Sequence, residues 1–253
     1  MLKPHLNRYW LNANPKNSET FKQDSNQICQ LYQQAQELSI NNIHLISTDE
    51  MTGIPALERA YPTDTMKPGK IEFQEFEYIR HGTLSLIASW DVANGGIYHS
   101  HVGPTRNEYD FNHHIATIIA TKPSDEWIFV TDQLNTHKSE SLVRLVATNC
   151  GIDIDLGIKG KSGILHSMDS RAAFLTDTSH RIRFVYTPKH SSWLNQIECW
   201  FSILVRRLIR RGNFTSTNNL KCQIVNFIDY FNRTLAKPFV WKFLGYPNTA
   251  STG

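Results

Sequence analysis

Trp127-Ile128-Phe129-Val130-Thr131-Asp132 is the stretch on which the reading of this chain turns. Four apolar residues in an unbroken run are too few for a helix. They mark a strand buried on both faces, as in a parallel sheet, and this one runs out onto a carboxylate. The neighbouring segments fall into alternation around it. Residues 109–121 read as a helix before the strand. Lys138 to Asn149 reads as a helix after it, burying Leu142, Leu145 and Val146. Arg183-Phe184-Val185-Tyr186 is a second short strand, ended by Pro188. A long helix is predicted from Trp193 to Arg211, with Leu194, Ile197, Phe201, Leu204 and Leu208 at helical spacing, and a last one over Asn218 to Asn232.

On the N-terminal side, Ser18 to Leu38 carries Phe21, Ile28, Leu31, Tyr32, Ala35 and Leu38 partly at helical spacing. Ile43, Leu45 and Ile46 make a strand that stops at Thr48-Asp49-Glu50. Pro55, Pro62, Pro68 and two glycines predict a loop over residues 52–70. Thr83 to Val92 and Ile97 to Val102 flank Asn94-Gly95-Gly96, the signature of an antiparallel hairpin. Residues 150–181 hold four glycines, many charges and no period. A hairpin followed by strand–helix alternation predicts an α/β fold, a mixed five-stranded sheet with helices on both faces.

Composition sets the outer bounds. The chain has 253 residues, 40% hydrophobic and 19% charged, an ordinary globular balance that needs no disulfide or structural metal. The net charge of +3 says little about partners, but Arg206, Arg207, Arg210 and Arg211 crowd one short stretch. Cys29, Cys150, Cys199 and Cys222 form no Cys-x-x-Cys pair, which argues against a zinc ribbon and for a reducing, cytoplasmic setting. There is no apolar run of about 18 residues and no signal-peptide pattern, so no membrane role is expected.

Three acids occupy telling places. Asp49 and Asp132 each follow the end of a strand, where ligand sites of such sheets gather. Glu198 sits one turn into the long helix. Crowded carboxylates repel one another and make sense chiefly around cations, and hard divalent ions favour oxygen donors. For any single acid, a helix cap or solvated turn is the ordinary explanation.

The set is more specific than its members. Val130-Thr131-Asp132-Gln133-Leu134-Asn135-Thr136-His137 and Tyr186-Thr187-Pro188-Lys189-His190-Ser191-Ser192-Trp193-Leu194-Asn195-Gln196-Ile197-Glu198 together resemble the DDE transposases of bacterial insertion sequences. The likeness is to the six-thirty family, related to the mariner superfamily. Thr48-Asp49-Glu50-Met51-Thr52-Gly53 resembles the first acidic motif, and Arg80-His81-Gly82-Thr83 the segment before the second strand. The resemblance implies an RNase H-like domain with Asp49, Asp132 and Glu198 as catalytic, metal-holding acids, Glu50 being the rival for the first place. It also implies two Mg2+ or Mn2+ ions and double-stranded DNA, both transposon ends and target, as substrate. Asn195 matches the Asn of an Asn-Pro-x-Glu motif in which this chain has Gln196 for Pro. Three residues before Glu198, it is expected on the same helix face. The 150–181 stretch lengthens the interval between the second and third acids and is read as an insertion.

Other motifs carry less. Gly160-Lys161-Ser162 has the tail of a phosphate-binding loop, but Asp155 stands where the pattern needs Gly. His99 with His101 and His113 with His114 lack a third ligand at zinc spacing. The expectation is an N-terminal helical arm (1–40) and an RNase H-like catalytic domain (41–245) with an insertion at about 150–181. Asn195, His137, His190, Lys161, Arg206, Arg207, Arg210 and Arg211 are its candidate DNA contacts, and the chain would act on DNA as a homodimer or larger assembly in the bacterial cytoplasm, associated with the nucleoid. A nuclease or integrase on the same fold, or an inactive DNA-binding remnant, are the alternatives, since the first 40 residues offer one helix and no full recognition region.

Overall fold

The apolar run around Phe129 is strand β4 (Glu126–Thr131), and it lies between two parallel neighbours, β1 (Ile43–Arg59) and β5 (Ile182–Tyr186). A computed structural model describes residues 18–62, 66–71 and 75–246. Trp127 and Phe129 point to one face of the sheet and Ile128 and Val130 to the other, all fully buried. That is why this strand reads as continuous apolar sequence rather than as an alternation. β2 (Tyr78–Asp91) pairs antiparallel with β1, and β3 (Gly96–Gly103) antiparallel with β2, giving the order β3-β2-β1-β4-β5.

Six α-helices among the described residues cover the two faces. On one lie α2 (Glu108–Thr121), α3 (Glu140–Cys150) and α4 (Met168–Leu175), which bury Phe111, Ile115, Leu142, Val146 and Leu175 with Trp127 and Phe184. On the other lie α1 (Ser18–Ile40), α5 (Ile197–Leu204) and α6 (Thr217–Thr234), with Ile28, Trp200, Ile224 and Phe231 around Trp90. The helix placed in an N-terminal arm therefore contributes Ile28, Tyr32 and Ala35 to the core. The first seventeen residues of that arm lie outside the described residues, as do 63–65 of the expected loop. Gly95 shows why the hairpin turn needs glycine. Its φ is +74°, and a Cβ there would fall 1.8 Å from the Lys237 carbonyl carbon of the C-terminal segment.

Three expectations change. The loop expected over 52–70 is in its first half strand, because β1 runs on to Arg59. Pro55 is tolerated because β4 no longer flanks β1 there and the pairing with β2 is irregular on both sides of it. The 150–181 stretch is not without structure: it contains α4. The helix expected from Trp193 breaks into a 3-10 turn at Ser192–Leu194, an α-helix from Ile197, and a π-helical turn over Val205–Ile209. Asn195 is extended, with φ −83° and ψ 108°, so it does not share a helix face with Glu198.

Candidate active site

β1 and β4 run side by side only as far as the pairing of Ser47 with Val130. Beyond it β1 continues with β2 alone, while the chain after β4 turns away at Asp132. The split leaves an opening at the carboxyl ends of two parallel strands, the general position of ligand sites in such sheets. Asp49 lies two residues past the split on β1. Glu198 enters from the first turn of α5. The three acids are near enough to act on one another. Asp49 is pushed up to about 7 by burial and then by the charge of Asp132, with Glu198 adding to it. Glu198 is raised by burial and by Asp132.

Side-chain alternation puts Asp49 and Glu50 on opposite faces of β1. Asp49 faces α1 and α5. Asn195 Nδ2 donates to Asp49 Oδ2 at 3.1 Å and to the Thr48 carbonyl at 3.0 Å. Ser47 Oγ donates to Asn195 Oδ1 and accepts from the Ile197 N–H at 2.9 Å. Tyr32 of α1 closes the same knot: its hydroxyl donates to the Leu194 carbonyl at 2.7 Å and accepts from the Gln196 N–H at 3.4 Å. These bonds satisfy the backbone just before α5 and fix where that helix, and with it Glu198, begins.

Glu50 faces the other layer. Its side chain is 2 % exposed and its Oε2 lies 3.2 Å from His137 Nε2. His137, 0 % exposed, sits in a 3-10 turn (Asn135–Lys138) with Phe111 packed on its ring at 4.2 Å. Its Nδ1 lies 2.8 Å from Asp132 Oδ1, which also accepts the Leu134 N–H at 3.0 Å. Burial alone would push the imidazole down. Its bonds to Asp132 and Glu50, with their charges, raise it instead to about 10, so it is a buried cation at neutral pH. Burial likewise pushes Asp132 up, but the His137 bond and charge, the Leu134 N–H and the charge of Arg106 outweigh it and hold the carboxyl below its ordinary value.

This geometry corrects two expected DNA contacts. His137 and Asn195 are both fully buried, spent on carboxylates of the protein itself. His190 remains accessible. It adopts a left-handed backbone, φ 62°, in the turn after Pro188, and with Lys189 it borders a cleft of about 290 Å³ that contains Asp132. Arg206, Arg207, Arg210 and Arg211 are exposed, and three of them line a groove of about 860 Å³ with Phe227, Tyr230 and Lys237. In the 150–181 segment Lys161 is exposed, but Arg171 and Arg181 are structural. Arg171 is buried and donates to the Lys138 and Leu165 carbonyls, and Arg181 donates to Asn149 and Asp125. Sequence reasoning missed Ser47, Tyr32 and the Glu50–His137 pair. The only signal was the closeness of His137 to the second acid.

Among the described residues no three His, Cys, Asp or Glu side chains converge tightly enough to ring one ion. Mg2+ takes only one or two carboxylates beside water and phosphate, so the acids need not surround a single ion. Asp49 and Glu198, each raised by burial and by the charge of Asp132, fit a donor set built for added positive charge.

The family model for DDE superfamily endonucleases matches residues 44–221, from the start of β1 into α6. The chain belongs to the DDE endonuclease superfamily. Among solved structures, this DDE chain is similar to the Mos1 transposase paired-end complex with left transposon end, at 13% identity and a TM-score of 0.54, over 90% of this chain and 59% of that one. It is similar to the catalytic domain of Mos1 mariner transposase at 11% identity and 0.52, over 87% and 85%. A pre-cleavage Mos1 transpososome gives 13% and 0.52, over 90% and 59%. At these identities the likeness is one of fold, the RNase H-like fold of that catalytic domain. The chain spans about three fifths of the length of the chains in the two complexes. Among curated proteins none matches it in sequence.

Proposed function

We propose that this DDE chain is the catalytic domain of a transposase that hydrolyses a phosphodiester at transposon ends and then joins the freed 3′ hydroxyl to target DNA. What supports the reading is that Asp49 and Glu198, near the split between β1 and β4, are both raised by burial and by the charge of Asp132. Asp49 and Asp132 would hold cations between them, and Glu198 would complete a second site. Divalent ions, when bound there, supply Lewis-acid neutralisation of charge on the transferring phosphoryl group. A Mos1 mariner paired end complex has been solved with Mn, which supports Mn2+, or Mg2+ of like oxygen preference, as the ion. Two ions, a bacterial insertion-sequence origin and action as a dimer or larger assembly belong to the same proposal.

The protein's own residues do the positioning. Asn195 and Ser47 hold Asp49 and the start of α5. Lys189 and His190 rim the Asp132 cleft, where an incoming phosphate would lie. Arg206, Arg207, Arg210, Arg211 and Lys161 offer exposed charge for the DNA backbone, a pairing that releases counterions and carries little sequence information. The test uses the chain with Mg2+ or Mn2+ and labelled duplex bearing the element's terminal sequences. The expected outcome is end cleavage followed by strand transfer, both lost in Asp132→Asn. Cleavage without transfer would make the protein a nuclease. Binding without cleavage would make it a remnant.

A further inference from the structure

We propose that Glu50 and His137 form a buried positioning pair whose task is to hold the Asp132 carboxylate in the orientation that receives a divalent ion. The inference rests on the reading of Asp132 as a cation-holding acid, and it assigns Glu50 a part other than that of an alternative first acid. Glu50 is on the wrong face of β1 to share an ion with Asp49. What it does reach is His137 Nε2, at 3.2 Å, while His137 Nδ1 reaches Asp132 Oδ1 at 2.8 Å. The imidazole therefore spans two carboxylates on two different structural segments: one on β1, one on the turn that leaves β4.

Three further interactions make the imidazole a fixed strut. Phe111 of α2 packs on one side of the ring. Tyr186 of β5 donates its hydroxyl to the His137 carbonyl at 2.7 Å, so the turn carrying the ring is tied to the sheet. The Asp132 main-chain carbonyl lies 3.2 Å from Nδ1, on the same side as Oδ1. With Oδ1 held by His137 and the Leu134 N–H, Oδ2 is the Asp132 oxygen left for a ligand among the described residues, and the side chain as a whole is 37 % exposed. A ligand-bearing carboxylate held by its own hydrogen-bond partner is the usual way a protein fixes the donor direction toward a metal, and loss of such a partner typically weakens metal affinity by roughly 10–100-fold. The buried Glu50 in turn keeps the ring from rotating away. Its Oε1 has no hydrogen-bond partner among the described residues, and the approach of Oε2 to His137 Nε2 is an ion pair without hydrogen-bond geometry, so charge attraction to the imidazole is the one polar anchor shown for that carboxylate.

The test is Mn2+ affinity in the absence of DNA, read by electron paramagnetic resonance on the full chain, with melting curves to confirm that each variant is folded. Glu50→Gln keeps the shape but removes the charge that anchors the ring, and Mn2+ should bind roughly 10–100-fold more weakly. His137→Asn keeps an amide donor near the Nδ1 position and should retain more affinity than His137→Phe, which offers none. If His137→Phe does not fold, Glu50→Gln and His137→Asn decide the matter. Because Glu50 acts through the ring, adding Glu50→Gln to His137→Asn should cost nothing more. Arg233→Ala, exposed in the last turn of α6, should bind Mn2+ as wild type does. Unchanged Mn2+ affinity in folded Glu50→Gln and His137→Asn would overturn the proposal. So would a full further loss when Glu50→Gln is added to His137→Asn, since Glu50 would then be a ligand itself. Asp132→Asn tests the underlying reading separately: unchanged Mn2+ affinity there removes Asp132 from the metal site.

Discussion

The two faces of β1 at residues 49 and 50 treat adjacent acids in opposite ways. Asp49 is met by a neutral amide, Asn195, and by two other acids, so burial and repulsion drive its carboxyl up to about 7. Glu50, one residue on, is met by a histidine that its own charge helps to keep protonated. The first arrangement leaves negative charge uncompensated within the protein. The second neutralises it internally. A buried acid with its own cation is a structural part, whereas a buried acid among acids is prepared for a cation from outside.

The largest effect that would break this contrast is catalytic. Asp49→Asn should abolish metal-dependent cleavage in a gel assay of labelled duplex while the circular dichroism spectrum is unchanged. Glu50→Gln should reduce cleavage without abolishing it, in step with its weaker metal binding. Equal loss in both would erase the distinction between the faces.

The next effect is on stability, and it has opposite signs on the two faces. His137→Ala removes one partner of a buried pair and should cost about 3–5 kcal/mol in urea unfolding. Asp49→Asn should stabilise the metal-free protein. The folded pKa of Asp49, about 7, lies above the ordinary 3.8, so the folded state binds the extra proton between these values. Stability from this group is therefore greatest below about pH 4, falls as pH rises, and levels off above 7. The advantage of Asp49→Asn over wild type should grow across that window toward an upper bound on the order of 4 kcal/mol. Saturating Mn2+ should cancel it.

Smaller effects sharpen the picture. Tyr32→Phe removes a buried hydroxyl that ties α1 to the backbone before α5, and should cost about 1 kcal/mol. Replacing Arg206 and Arg210 by Ala should leave stability within about 0.5 kcal/mol and weaken binding to all duplexes alike. The slope of log affinity against log salt should become shallower by about 1 for each phosphate no longer neutralised.

The same contrast explains what the sequence could reveal. Strand β4, the hairpin around Asn94-Gly95-Gly96 and helices α2, α3 and α6 were legible because burial on one or both faces imposes a period. The tail of β1 was not, since Pro55 speaks against a strand unless it is known that β4 has already left that side. The place of Asp132 just past a strand end was legible too, but Asp49 lies within β1, two residues beyond its last pairing with β4, and not at the strand end the sequence suggests. The start of α5 was not, because Asn195 gives up helical geometry for bonds to Thr48 and Asp49, residues almost 150 positions earlier in the chain. Glu50 was legible only as a rival, since which face of a strand an acid occupies depends on what packs there. His137 and Asn195 read as DNA contacts in the sequence because polar residues beside a site look exposed until the core around them is seen.

The most direct measurement is a crystal of the chain grown or soaked with Mn2+, with the ion located by its anomalous scattering. The account predicts manganese on the Asp49 side of β1, with carboxylate oxygens of Asp49, Asp132 or Glu198 at a little over about 2 Å, and Glu50 still against His137. Manganese bound to Glu50, or Asp49 left without an ion while Glu50 gains one, would contradict it.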